Sequence, residues 1–361
     1  MESQSREVRR AGPAWRAGPG AAVLSAVLFG ATTPLAKYFL RDAGPLLIAG
    51  LLYLGSGIGL TVMRLIQDRR WGPSGLGRAD YPWLAGATIS GGMLAPALLM
   101  FGLARSDAAT ASLLLNTEAV FSALLAWLLF REATSRRVVL GFFAIFTGCA
   151  LLSWPSRLVL GGALLGPLCV IAACLCWGLD NNLTRNISAA DSRVIAAIKG
   201  LCAGATNTAL ALSMGAMLPG APQLAGALAL GFLGYGVSLV LFIVSLRQLG
   251  TARTGAYFAM SPFIGTILAV ALYREPITAA FYLASALMAV GVWLHVTEHH
   301  EHEHEHGPVT HMHEHAHDAH HQHEHGPEID PAEPHTHLHS HGFLRHRHAH
   351  FPDIHHGHRH D

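Results

Sequence analysis

Long apolar runs separated by short polar breaks fill the chain from about Gly20 to Val296, and from Thr297 onward they almost vanish. A helix that crosses lipid needs about 20 mostly apolar residues. Ten segments meet that requirement: 19–40, 43–65, 81–104, 107–130, 136–154, 160–184, 193–216, 222–246, 251–273 and 277–296. Lipid cannot satisfy a free backbone donor or acceptor, and no alternating ten-residue barrel pattern competes, so the segments must be helices. The pattern predicts an all-α polytopic membrane protein of about ten transmembrane helices, followed by a tail that cannot build an apolar core and is expected to be disordered.

The polar breaks carry an orientation. With the N-terminus in the cytoplasm, Arg64, Arg69, Arg70, Arg78, Arg131, Arg136, Arg137, Arg185, Arg193, Arg247 and Arg253 fall inside, and only Arg41, Arg105, Arg157 and Arg274 fall outside. That is the positive-inside bias, and an even helix count then returns the C-terminus to the cytoplasm. Arg6, Arg9, Arg10 and Arg16 precede the first apolar run as in a secretory leader. The run is too long and lacks a convincing cleavage site, so it is read as a retained first helix.

The chain also repeats itself. A shift of 143 residues lays 91–151 on 234–294 without a gap, matching Gly91 with Gly234, Leu103 with Leu246 and Leu125-Ala126 with Leu268-Ala269. The same shift matches Arg131-Glu132 with Arg274-Glu275 and Gly148 with Gly291. Each unit holds five helices, an odd number, so the second must run through the membrane upside down relative to the first. Inverted units of this kind are a mark of alternating-access carriers. The expected parts are a basic cytoplasmic segment 1–18, a first unit 19–154, a second unit 160–296 and the tail 297–361.

Composition sharpens this division. Only 13% of the 361 residues are charged and the mean hydropathy is positive, against about a quarter charged in soluble domains. The 25 histidines begin at His295, with all the others between His299 and His360. Cys149, Cys169, Cys174, Cys176 and Cys202 lie in apolar runs, which offers neither a disulfide framework nor a zinc-finger spacing. The near-neutral net charge of +1 gives no sign of a nucleic-acid partner.

These features resemble the drug/metabolite transporter superfamily, specifically its EamA-type members. The resemblance rests on Phe29-Gly30 with downstream Lys37, on Trp177-Gly178 with downstream Arg185, and on Phe130-Arg131-Glu132 and Tyr273-Arg274-Glu275 at the ends of the fourth and ninth runs. It covers roughly residues 20–296, departs at Phe29, where the family commonly has tryptophan, and excludes the tail. It implies ten helices as two inverted five-helix EamA-type repeats and transport of a small cargo whose identity the family does not fix.

Ionisable groups at membrane depth are costly and mark functional candidates. Glu118, with Asn116 nearby, lies in the fourth run, and Asp180, Asn181 and Asn182 lie in the inner half of the sixth. Lys199 in the seventh stands at a depth similar to Asp180, so the two can pair. Trp177 shares a helical face with Asn181. Thr32, Thr33 and Pro34 in the first run, and Gly178 in the sixth, suggest interrupted helices beside a midplane site. The transport-site candidates are therefore Glu118, Asn116, Asp180, Asn181, Trp177 and Lys199. The two Arg-Glu pairs are read as caps or braces at helix ends.

In the tail, His299, His300, His302, His304 and His306 alternate with or adjoin carboxylates, and His311, His313, His315, His317, His321, His323 and His325 continue the spacing. Imidazole suits zinc, copper and nickel, so the tail is expected to bind divalent transition metal ions at several exchangeable sites. Three functions are weighed, of which the leading one is a bacterial inner-membrane exporter of nickel or cobalt, less so zinc, with a cytoplasmic metal-capturing tail. Another is a proton-coupled exporter of an amino acid or other small metabolite, and the third is a membrane-anchored chelator without transport. Expected partners are the bilayer and a small cargo, with a homodimer left open. No cofactor is required, and the absence of a nucleophile elbow, phosphate loop or metallohydrolase motif argues against an enzyme.

Overall fold

The computed structural model describes residues 17–68, 75–130, 136–153, 164–187, 190–297, 301–306, 309–315, 335–341 and 344–349. The apolar runs become α1 (Ala17–Phe39), α2 (Pro45–Asp68), α3 (Arg78–Leu103), α4 (Ala108–Leu128), α5 (Arg136–Ser153), α6 (Leu165–Arg185), α7 (Ser192–Ser213), α8 (Ala221–Leu246), α9 (Arg253–Tyr273) and α10 (Ala279–Val296). Among the described residues nine of them are long and apolar enough to cross a membrane. The other, α6, has 21 residues and is made less apolar by Asp180, Asn181, Asn182 and Arg185 in its second half. The expected start of this helix at 160 and the Arg131-Glu132 pair lie outside the described residues, as does most of the basic segment 1–18.

The two five-helix units interlock. Helix α1 packs on α8 and α9, and α6 packs on α3 and α4; α2 meets α7 and α8, and α7 also meets α3. Exchanging each helix for its counterpart five places along converts every one of these pairings into another of them, the signature of inverted units about a pseudo-two-fold axis. The α5–α10 contact shows it atom by atom. A Cβ on Gly148 would lie 3.0 Å from the Ala284 carbonyl, and one on Gly291 would lie 2.8 Å from the Gly141 carbonyl. Positions 141 and 148 map on 284 and 291 under the 143-residue shift. Small residues permit this approach, and van der Waals packing, which lipid does not supply as well, holds it.

The interruptions fall elsewhere than expected. Helices α1 and α6 run unbroken despite Pro34 and the Asp-Asn-Asn stretch. Their polar groups find partners: Asn182 Nδ2 donates to the Gly178 carbonyl at 2.8 Å and the Ser122 carbonyl at 3.0 Å, and the Pro34 carbonyl accepts from Tyr273 Oη at 2.8 Å. Asn182 is thus satisfied partly by its own helix and partly by α4, and Tyr273 ties α9 to α1. The breaks occur in α3 and α8, as π-helical turns at Thr88–Leu94 and Phe232–Val237. Non-helical turns also interrupt α4 at 115–116 and α9 at 259–260. Both pairs sit at equivalent places in the two units. Between α8 and α9 the expected loop is replaced by helix running on from Ser238 to Phe258.

The tail forms a unit of its own. Its described parts are β1 (Glu301–His306), β2 (Val309–His315), β3 (His335–His341) and β4 (Leu344–Ala349), with β1 antiparallel to β4 and β2 antiparallel to β3. In these segments residue types alternate at period two, which is also the period of a strand. A two-stranded ladder alone is marginal in water. His302, His304, His306, His311, His313 and His315 lie on β1 and β2, whereas His299, His300, His317, His321, His323 and His325 lie outside the described residues.

Candidate functional site

The π-helical turn of α3 builds one wall of the site. A π turn shifts the hydrogen-bond ladder by one residue and leaves carbonyls available to side chains, and such turns recur at functional sites. Here the Gly91 carbonyl accepts from Tyr53 Oη of α2 at 2.8 Å and from Trp177 Nε1 of α6 at 3.0 Å. Ser90 Oγ donates to the Cys176 carbonyl at 2.6 Å, and Asn207 Nδ2 of α7 donates to the Met93 carbonyl at 3.0 Å. Trp177 is therefore a buried, hydrogen-bonded wall.

Opposite stands the break in α4. Asn116 is buried, and its Nδ2 donates to the Leu113 carbonyl at 2.8 Å, while Thr117 Oγ1 donates to the Leu114 carbonyl at 2.6 Å. Both side chains bond carbonyls of the preceding turn, and the Leu113 carbonyl also accepts from the Asn116 N–H, so Asn116 shapes the break. The break places Glu118 in the first turn of Thr117–Phe130, where the helix dipole favours a carboxylate. Glu118 is half-buried, and its Oε1 accepts from Asn181 Nδ2 of α6 at 3.1 Å. The same amide donates to Ser122 Oγ at 3.0 Å.

The pairing expected from equal depth is present. Lys199 Nζ lies 2.5 Å from Asp180 Oδ1 and 2.6 Å from Oδ2, and Thr184 Oγ1 donates to Oδ1 at 2.9 Å. The carboxylate sits against Gly91, where any Cβ would collide with it. Asp180 and Lys199 thus lock α6 to α7 beside the π turn. The opposite unit has a neutral counterpart, Thr32 of α1 against Gly234 in the π turn of α8.

Of the six candidates, the structure brings Glu118 and Asn181 together, closes Asp180 on Lys199, and turns Asn116 and Trp177 to structural hydrogen bonds. It adds residues that the sequence reading passed over. Tyr53 and Tyr235 stack with ring centroids 5.4 Å apart, Phe29 meets Tyr235 at 5.9 Å, and both tyrosines are within electrostatic reach of Glu118. Aromatic residues in apolar helices give no signal of their own. The available clue was the repeat, since Tyr235 directly follows Gly234, the partner of Gly91. Among the described residues no three His, Cys, Asp or Glu side chains gather as a metal site.

The comparisons agree with this architecture. The model of the EamA-like transporter family matches twice, at residues 16–154 and 164–297. An uncharacterized transporter of Methanothermobacter thermautotrophicus is 28% identical over 288 residues, covering 75% of this chain and 84% of its own. A solved crystal structure that is 19% identical superimposes with a TM-score of 0.57 over 76% of this chain and 95% of its own, a likeness of fold. Two family matches, one on each inverted unit, establish that the chain belongs to the EamA-like transporter family, a multi-pass membrane transporter of a small substrate and not an enzyme.

Proposed function

We propose that the chain is an ion-coupled exporter of a small organic solute in which Glu118 alternately holds a proton and the cargo. The observation that carries this reading is the isolation of Glu118. Its hydrogen-bond partner is the neutral amide of Asn181, and Asp180, the other acid at that depth, is occupied by Lys199. One carboxylate with an amide, a hydroxyl and aromatic rings suits a proton or the amine of an amino acid or similar metabolite. The bias of arginines toward one side supports cytoplasmic termini, and in this reading the tail buffers or senses metal and takes no part in moving the cargo.

A second reading, export of nickel or cobalt, draws on the histidines of the tail. Nickel and zinc favour imidazole or thiolate ligands in sets of four or more. Among the described membrane residues Cys149 and Cys174 are buried on separate helices, His295 bonds the Val138 carbonyl and no three potential ligands gather, so this reading rests on the tail alone.

Uptake into inside-out vesicles tests both. Labelled amino acids and labelled nickel are offered to parent protein and Glu118→Gln, with and without an imposed pH gradient. Gradient-dependent organic uptake that Glu118→Gln abolishes is the expected result. Nickel uptake by the parent without any organic uptake would overturn it.

A further inference from the structure

The Arg274-Glu275 pair is absorbed by neither the site nor the coupling. Arg274 adopts a left-handed conformation, φ 51° and ψ 40°, and its N–H closes the last turn of α9 on the Val270 carbonyl. Arginine rarely takes this conformation, which is commonly glycine's at a helix end. Its consequence is to deliver the next residue across the repeat boundary. Glu275 Oε1 accepts from the Ala108 N–H at 2.7 Å and Oε2 from the Ala109 N–H at 2.8 Å, so one carboxylate caps the start of α4 from the other five-helix unit. Lys37, in the last turn of α1, donates to the Ser106 carbonyl in the same corner. Tyr273 ties α9 to α1 through the Pro34 carbonyl. Three helices from both units are thereby fastened at one end of the molecule.

The opposite end differs. The 143-residue shift carries Ala108 and Ala109 onto Thr251 and Ala252, which lie inside the continuous helix Ser238–Phe258, where their N–H groups are used by the helix and cannot be capped. The next turn differs in the same sense. Ser112 is 1% exposed and packs against Gly265, whereas at its counterpart, Gly255, a Cβ would meet nothing within 4 Å. The two ends of one symmetric scaffold are in different states, one clamped and one not.

We propose that Glu275 is the positioning residue that holds this end of the transport path shut, and that release of its two hydrogen bonds opens it. The first part of α4 runs from the capped turn to the break that carries Glu118, ten residues or about 15 Å away, so freeing the cap frees the segment that covers the site. The inference rests on the carrier fold and needs no knowledge of the cargo.

The test places a thiol under the clamp. Full-length protein carrying Ser112→Cys is exposed in vesicles to a charged methanethiosulfonate, and labelling is read site by site by mass spectrometry, with buried Cys149 as the reference for unfolding. Glu275→Gln, which keeps one acceptor, is expected to raise labelling at position 112 about tenfold with Cys149 unchanged; Glu275→Ala, which keeps none, is expected to raise it further. If Glu275→Gln is not recovered folded, Tyr273→Phe loses a single bond of the same corner and is expected to raise labelling severalfold. Unchanged labelling at 112 in a folded variant, or a parallel rise at Cys149, would show a static brace and overturn the proposal. Because no cargo is present, this result is separate from the role of Glu118.

Discussion

If the Asp180–Lys199 pair locks α6 to α7, removing one charge must do more harm than removing both. At 2.5 and 2.6 Å, with an effective dielectric constant near 20, the attraction is roughly 6 kcal/mol. Withdrawing each ion from water costs several kcal/mol, so the intact pair nets near zero. The side chains are only 15% and 9% exposed, and a single neutralisation strands the partner, at about 3–5 kcal/mol. At about 2 °C per kcal/mol for a unit of this size, Asp180→Asn or Lys199→Met lowers the melting midpoint in detergent by roughly 6–10 °C. The double variant should return to within about 2 °C of the parent, a non-additivity that a double-mutant cycle reads directly. Transport should follow stability, lost in the singles and largely restored in the double. If Asp180→Asn melts like the parent yet fails to transport, Asp180 belongs to the cargo site and the reasoning fails.

Other consequences follow from the same geometry. Gly91→Ala drives a methyl into the Asp180 carboxylate and is expected to cost about 1–3 kcal/mol by overpacking, measured as a fall in melting midpoint, whereas Gly20→Ala, with open space around it, should be silent. Asp191, at the start of α7, is pushed up by burial but held more strongly down by its bonds to Arg193 and by the nearby Arg64, so its carboxyl lies below the ordinary 3.8. A lowered folded value means the stabilisation is complete above the ordinary pKa and is lost as pH falls through the folded one. Asp191→Asn keeps a capping side chain, so its deficit, about 0.5–1 kcal/mol for a partly exposed pair, should be constant from neutral pH to about 5, begin to shrink below about 4 and vanish once pH has fallen through the lowered value of the folded carboxyl; a deficit that persists unchanged in acid would exclude the charge as its cause. Truncation after Glu298 should leave organic transport intact and abolish nickel binding in calorimetry; loss of transport would make the tail part of the carrier.

The membrane segments were legible because lipid imposes a simple rule, that twenty apolar residues must be helix, and the inverted repeat was legible because Gly148 and Gly291 serve the same contact from opposite sides. Asp180 and Lys199 could be paired from depth alone, since rise per residue is constant in a helix. Helix breaks were not legible in the same way. Pro34 and the Asp180-Asn181-Asn182 stretch look like interruptions, yet α1 and α6 are continuous, and Asn182 finds a partner on another helix in the Ser122 carbonyl. At the break in α3 the Gly91 carbonyl accepts from Tyr53 and Trp177, which come from distant segments, and no local pattern around Gly91 announces them.

What the sequence determined by itself is therefore what depends on solvent and period: ten helices, two inverted units, a polar tail and the short set of ionisable groups at membrane depth. Only the tertiary structure decided which of those groups remain available. Asp180 is cancelled by a lysine 19 residues away, Asn116 is turned to its own backbone, and Glu118 alone is left beside Asn181. A cap on α4 supplied by Glu275, 167 residues distant from Ala108, lies beyond any local pattern, because its partners meet only when the two units interlock.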